Sequence, residues 1–503
     1  MRKILKYILG IFFIFCIITV LLLIMVSRYV YQEPAQLVYT RAIQAEVTWQ
    51  SAKYPSLGFI FNVIRSFYVP DPGKNFKIAA PGNITGKILT TPPLHVGPSP
   101  LHFTPPAQTA NSINVTNKPE LINAIAGAKA GDVIVIAAGE YNLTGYNIPL
   151  AENGNKDHPI TLRADRLGTV TLKFDLLEGF HITGAYWTIE NLIIEGVCKD
   201  DSNCEHAFHI AGNGHNARIN NNIVKNFNAH VKINAVSDKS PDSGVIENNL
   251  FYNDAPRKTS NPVTLIDGVS VSHWRVANNI VADFAKLYDD NTSYAAFFKG
   301  GGEDNIFEKN LVMCEWRHKG GMRIGLSFGG GGTAAEYCPD KNCGTENSRG
   351  IIRNNIIMNC PRDVGIYLNK SADTLIHNNI IYNTHGIDVR FKTTTAEIFN
   401  NVIDGRIRSR NGGFYKAQNN IMSYLSAIKL DSIVQDIYQN PALGNFEPRH
   451  RDELIKQGVS ARNLGDDICG QKHSDRQSDI GPVNLQKDET CPMNMDFIHK
   501  YIQ

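Results

Sequence analysis

The apolar positions of this chain fall in short runs without helical spacing, and run after run follows an Asn or an Asn pair. HNNIIYN at 377–383 is representative. The pattern returns as ENLII at 190, NNNIV at 220, ENNLF at 247, ANNIV at 277, EKNLV at 308, RNNII at 353, FNNVI at 399 and QNNIM at 418. With the last Asn of each as a marker (191, 222, 249, 279, 310, 355, 379, 401, 420), the spacing runs from 19 to 45 residues. A constant core pattern with a variable gap describes one structural unit that stacks on its neighbours while its loops vary in length. In DVGIYLNKSADTLIHNNIIYNTHGIDVRF three apolar runs alternate with turns, which suits three strands per coil. Asn tolerates left-handed backbone at a sharp corner, and its amide can bond the amide of the Asn one coil on. An Asn-rich loop or disordered segment would not be followed nearly every time by apolar β-branched residues. The expected fold is all-β: a right-handed parallel β-helix whose bore is filled by Ile, Val, Leu and Phe.

The flanks read differently. MRKILKY precedes ILGIFFIFCIITVLLLIMV, 19 uncharged residues that would span about 28 Å as a helix, close to a bilayer core. No small-residue cleavage site follows, so an uncleaved membrane anchor over residues 1–30 is favoured over a cleaved signal peptide. Arg2, Lys3 and Lys6 would then hold its start in the cytoplasm and the rest would be exported. Residues 31–111 form a tether ending in the Pro-rich TTPPLHVGPSP and FTPPAQ. The helical domain is expected over 112–485, and 486–503 form a C-terminal tail.

Composition adds the compartment. Apart from Cys16 in the anchor there are eight cysteines, with Cys198 near Cys204 and Cys338 near Cys343. Cys314 and Cys360 follow their markers in consecutive coils and could meet across one rung, leaving Cys469 and Cys491 for the tail. Zinc would favour CxxC spacing, which is absent, so disulfides and an oxidising compartment are expected. The 50 Lys and Arg against 48 Asp and Glu give no global charge that would attract nucleic acid, and none is expected as a partner. A monomer is expected.

Local charge is more informative. Alternation along the strand that precedes each Asn corner places His209 outside in FHIAG, Lys232 and Asn234 in VKINA, and Phe297 and Lys299 in AFFKGG. It does the same for Arg323 and Ser327 in MRIGLSF, Tyr367 and Asn369 in VGIYLN, Asp388 and Arg390 in GIDVRF, and Arg408 in IRSR. Isolated solvated cations would explain any one of these. A stripe of them on rungs about 4.8 Å apart repels itself unless an anionic polymer lies along it, and an acidic polysaccharide fits. Lys299 and Arg390 each stand eleven residues before a marker, at one register, and glycines crowd around Lys299.

INVTNKPELINAIAGAKAGDVIVIAAGEYNL, with apolar Leu121, Ile122, Ala124 and Ile125, resembles the amino-terminal cap of secreted parallel β-helix proteins, where a helix plugs the open bore. Within YAAFFKGGGEDNIFEKNLVMCEWRHKGGMRIGLSFGGGGT the chain resembles the family six polysaccharide lyases, the chondroitinase B and alginate lyase group. Lys299, Asn305, Asn310 and Arg323 occupy places comparable to that family's catalytic Lys, its Asn corner and its catalytic Arg. The sequence departs from the family at Gly300, where Ser is usual, and in RIGLSFGG, where Arg-His-Gly is usual. Thr292 and Tyr294 stand where acidic calcium ligands would be, leaving Asp289 and Asp290 as substitute ligands for Ca²⁺.

The resemblance implies elimination on a uronate. Lys299 would take the C5 proton, with Arg323 lowering its pKa, Tyr367 or His318 protonating the leaving oxygen, and Arg390, Asn369, Arg408, Lys232 and His209 binding substrate. An epimerase would use the same groups. A glycoside hydrolase would need paired carboxyls, and Asp267, Asp363 and Asp388 do not cluster in sequence. A non-catalytic polysaccharide-binding or scaffold protein is the remaining alternative.

Overall fold

The computed structural model describes residues 112–288, 292–330, 332–422, 432–460, 464–472, 478–486 and 493. The anchor and tether expected over 1–111 and most of the tail lie outside these residues. Among the described residues no helix is long and apolar enough to cross a membrane.

Three parallel sheets of twelve, ten and eleven strands run the length of the domain, with each strand paired to its counterpart one coil away. One coil consists of His206–Ala211 in the ten-stranded sheet, Arg218–Asn220 in the twelve-stranded sheet, the Asn corner, and Ile223–Lys225 in the eleven-stranded sheet. The arrangement fits a right-handed parallel β-helix. The bore is continuous and apolar, from Val115 to Ile407. Its rings pack closely: Phe307 lies between Phe298 and Phe328, with centroids 5.2 Å from each. At the amino-terminal end a helix, Lys118–Ala126, buries Leu121 and Ile125. Its first turn is held by Asn117 Oδ1, which accepts from Glu120 N at 3.0 Å, and by Glu120, which accepts from Thr116 N at 2.8 Å, a reciprocal cap.

The Asn pairs divide their labour. The first member takes the left-handed backbone: Asn221, Asn248, Asn278, Asn354, Asn378, Asn400 and Asn419 all have φ between 47° and 60°. The second carries the ladder. Asn222, Asn249, Asn279, Asn310, Asn355, Asn379, Asn401 and Asn420 form an unbroken file in which each Nδ2 donates to the next Oδ1 at 2.8–3.1 Å. The marker Asn191 is therefore misassigned by the sequence reading. It is a first-position residue with φ 64°, and Leu192, whose N–H donates to Asn222 Oδ1 at 3.1 Å, ends the ladder. First-position amides also strap the C-terminal segment to the corner: Asn354 donates to Asp466 O, Asn378 to Asp479 O and Gly481 O, and Asn400 to Val459 O.

Charge reinforces the twelve-stranded sheet, where Arg275 spans Glu247 (2.9 Å) and Glu308 (2.6 Å) and Arg353 also meets Glu308 (2.6 Å). Disulfides join Cys198 to Cys204, Cys338 to Cys343, and Cys314 to Cys360, the last between consecutive coils. Cys469 is disulfide-bonded, and Cys491 lies outside the described residues.

Candidate active site

The outer face of the ten-stranded sheet carries two columns of side chains, fixed by the strand register. One column runs His181, His209, Lys232, Asp267, Phe297, Ser327, Tyr367, Asp388. The other, two residues further along each strand, includes Asn234, Val269 and Lys299 and resumes with Asn369 and Arg390. Gly329 takes the rung after Lys299. Its φ is 73°, and a Cβ there would run into Asn369 O, so this rung presents backbone alone and leaves room beside the lysine.

Lys299 ends the strand Thr292–Lys299 half-buried, its Nζ 4.8 Å from the centre of the Phe297 ring. Among the described residues its ammonium makes no hydrogen bond. Burial pushes its pKa below the usual lysine value; nearby Asp267 and Glu346 oppose the shift and Lys232 adds to it. Those neighbours are engaged elsewhere. Asp267 Oδ1 lies 2.8 Å from Lys232 Nζ, and Glu346 Oε2 accepts from Gly300 N at 2.9 Å and Thr333 Oγ1 at 2.7 Å. Farther along, Tyr367 Oη accepts from Asn369 Nδ2 at 3.1 Å and from Arg390 Nη1 at 3.0 Å, which fixes the phenol two rungs from Lys299.

Arg323 and His318 are not part of this face. Pairing places Arg323 beside Ser293, six residues before Lys299 and so about 20 Å away along the strand. Its expected outward direction is also reversed. The ladder skips Leu265, Ala295 and Gly325, and at the first two of these the neighbouring residues Ile266 and Ala296 are buried as well. This kink inverts the alternation. Ile324 consequently turns outward, into a small cluster with Tyr294, Val364 and Tyr367, and Arg323 is 1% exposed. Its guanidinium donates to Gly320 O at 2.7 Å, to Cys314 O, and to His318 O at 3.2 Å, and meets His318 Nδ1 at 3.1 Å. Burial is the main cause that lowers the pKa of the His318 ring. Both residues hold the loop over 314–321 in place. Arg408 lies in the strand Arg406–Arg410 and is buried.

Asp289 and Asp290 lie outside the described residues. Thr292 and Tyr294 offer no carboxylate, Tyr294 packing against the apolar cluster, while Asp267 pairs with Lys232 and Glu346 accepts from Gly300 N and Thr333 Oγ1. The calcium expectation rests on Asp289 and Asp290 and so lies outside the described residues. Asn305 serves the corner, donating to Asn347 Oδ1 at 3.1 Å and accepting from Trp274 N at 3.0 Å.

At the other end of the face His209 is held between Asn234 Oδ1 (2.7 Å from Nε2) and Glu178 Oε2 (3.4 Å from Nδ1), with the His181 ring 5.0 Å away between centroids. The sequence reading named His209 but missed Glu178, His181 and Asn147. The signal was present as a repeat, FHITG at 180–184 and FHIAG at 208–212, which stacks two histidines on successive rungs.

The chondroitinase B family model matches residues 115–236, a span that ends before Lys299. No curated protein sequence matches the chain. Among solved structures, a PL6 family polysaccharide lyase from Pseudopedobacter saltans is 15% identical, with 64% of this chain and 94% of that one covered and a TM-score of 0.35. An alginate lyase from Paenibacillus sp. str. FPU-7 is 14% identical over 63% and 96%, TM-score 0.37, and pectate lyase Pel9A is 13% identical over 72% and 90%, TM-score 0.44. The chain is a parallel β-helix protein that resembles the β-helix polysaccharide lyases, with a chondroitinase B-like segment over residues 115–236.

Proposed function

We propose that this protein cleaves an acidic polysaccharide by β-elimination at a uronate, with Lys299 as the base. The observation that carries the reading is the state of Lys299: half-buried, without a hydrogen-bond acceptor among the described residues, its pKa lowered by burial, and bordered by a rung that is bare of side chains. A desolvated amine of this kind is a weaker base than free lysine, but a larger share of it is unprotonated and able to accept a proton at moderate pH. Lys232 lies two rungs to one side and Arg390 three rungs to the other, about 10 and 14 Å at the rung spacing. A polymer laid along the sheet would meet a cation on either side of the reacting sugar. Tyr367, aligned by Asn369 and Arg390, would contact the chain between Lys299 and Arg390. No step is assigned to a metal. The names of the lyases that the chain resembles point to the same substrate class, with alginate, pectate and chondroitin-type glycosaminoglycans as the polymers to test. Export of the domain, with residues 1–30 as its anchor, is part of the proposal and is supported by the disulfides.

A non-catalytic binding role is the second reading. The observation that favours it is the removal of Arg323 and His318 from the face: among the described residues the carboxylate on the rung next to Lys299, Asp267, is paired with Lys232, and neither expected partner stands beside the lysine. Incubation of the purified protein with each polymer separates the two. A lyase raises absorbance at the band of a 4,5-unsaturated uronate, and Lys299→Ala abolishes the rise; salt-sensitive binding with no new absorbance supports the second reading and sinks the first.

A further inference from the structure

Three titratable side chains converge at the amino-terminal end of the same face. Glu178, His181 and His209 each offer a ligand atom, and these atoms all lie within 4.8 Å of one another. Their surroundings are ordered around that point. Nε2 of His209 meets Asn234 Oδ1 at 2.7 Å, while Asn234 Nδ2 donates to Ala235 O at 3.1 Å. The Asn234 oxygen therefore faces the ring and Nε2 carries the proton. Nδ1 of His209 then turns its lone pair toward Glu178 Oε2 at 3.4 Å, and it is buried without a hydrogen bond. Two acceptors placed face to face are reconciled by a proton on Nδ1 or by a metal ion between them. The other oxygen of Glu178 is held by Tyr146 Oη at 3.2 Å. This pattern, in which His209 and Glu178 are each oriented by a partner behind them, is that of protein metal sites.

The separations are quantitative. Asn147 Nδ2 lies 3.3 Å from His181 Nδ1 and 3.4 Å from Glu178 Oε2. Metal bonds of about 2.0–2.1 Å in tetrahedral geometry give ligand-to-ligand edges of about 3.3–3.4 Å. A flip of the Asn147 amide would direct its oxygen at the same centre. We propose that Glu178, His181 and His209, with the Asn147 carboxamide at the fourth corner, bind a divalent transition metal of the zinc type. Two imidazoles and one carboxylate select such a metal over calcium or magnesium, which prefer all-oxygen sites. The inference is independent of the lyase reading. The other such cluster among the described residues, His273, Glu303 and Asp304, already holds a cation: Arg349 Nη2 lies 2.6 Å from Glu303 and 2.8 Å from Asp304.

The test uses the full chain without a histidine tag, stripped with chelator and titrated with Zn²⁺ by calorimetry and with Co²⁺ by visible absorption. One equivalent of Zn²⁺ should bind, and Co²⁺ should give the intense visible bands of a tetrahedral ion. His181→Ala and His209→Ala should each weaken binding by about 100-fold or more and Asn234→Ala by about 10–100-fold, whereas Glu303→Gln should leave it unchanged. The melting temperature in chelator, equal to that of the wild type, verifies that each variant is folded. Absence of stoichiometric binding, or wild-type affinity in folded His181→Ala and His209→Ala, would overturn the assignment.

Discussion

Replacing Asn310 by Ala isolates the contribution of the amide ladder, because every partner of that side chain is known. Its Oδ1 accepts from Asn279 N and Asn279 Nδ2, both at 3.0 Å, and its Nδ2 donates to Asn355 Oδ1 at 3.0 Å and Val276 O at 2.9 Å. Asn279 Nδ2 retains Ile246 O at 2.9 Å, and Asn355 Oδ1 retains the backbone N–H of residue 310 at 3.0 Å. The Asn279 N–H loses the acceptor it has and is buried. That orphan costs about 1–3 kcal/mol and the three other lost bonds about 0.5–1.5 each, so the expected loss is about 2.5–7.5 kcal/mol. Asn420 closes the ladder where its side chain is only half-buried, water can replace its partners, and Asn420→Ala should cost less than half as much. Urea unfolding followed by circular dichroism measures both. Since coils can open separately, hydrogen exchange over 276–282 and 307–313 should be read alongside and should lose protection in Asn310→Ala. A loss below about 1 kcal/mol with protection unchanged would refute the claim that the ladder holds the corners.

Three further outcomes follow from the geometry. Burial raises the Glu308 pKa, but Arg353 and Arg275 outweigh it and hold the carboxyl below its usual 4.5. Glu308→Gln should therefore cost about 1–3 kcal/mol at neutral pH, with the difference from wild type shrinking as pH falls through the lowered value; chemical denaturation at several pH values measures it. Arg323→Met should destabilise by about 3 kcal/mol or more, because buried carbonyls lose their donor; a folded variant with an unchanged melting temperature but no activity would instead restore it to the catalytic face. The lowered Lys299 pKa means that the unfolded chain binds this proton more tightly. Between that lowered value and 10.5, stability relative to Lys299→Met should rise with pH, and kcat/KM should rise through the same lowered value; a flat profile in both would contradict a titrating Lys299.

The coil repeat was legible because stacking forces the same residue types onto each rung, and the disulfides between nearby cysteines followed from spacing. The columns of the outer face were legible only in part. Alternation places Lys299, Tyr367, Asn369 and Arg390 where the strands put them, since their strands keep regular pleating from Ile366 onward and up to Lys299. It fails at Arg323, because the kink at Leu265, Ala295 and Gly325 has no signature beyond two small residues at 325 and 295. Asn191 was misread for a related reason: ENLII shows one Asn, and which of two roles it fills depends on its pairing with the next coil. Glu178, His181 and His209 come together through the repeated FHI, a signal visible only when the coils are aligned by this face rather than by their Asn corners.

The central claim is that this face eliminates rather than hydrolyses or merely binds, and mass balance on a defined oligouronate tests it most directly. Wild-type protein should convert one oligomer into two fragments whose masses sum to that of the parent, one of them unsaturated, and Lys299→Ala should leave the oligomer intact while remaining folded by circular dichroism. Fragments whose masses exceed the parent by one water, an intact oligomer with wild-type protein across the polyuronates tested, or full cleavage by Lys299→Ala would contradict it.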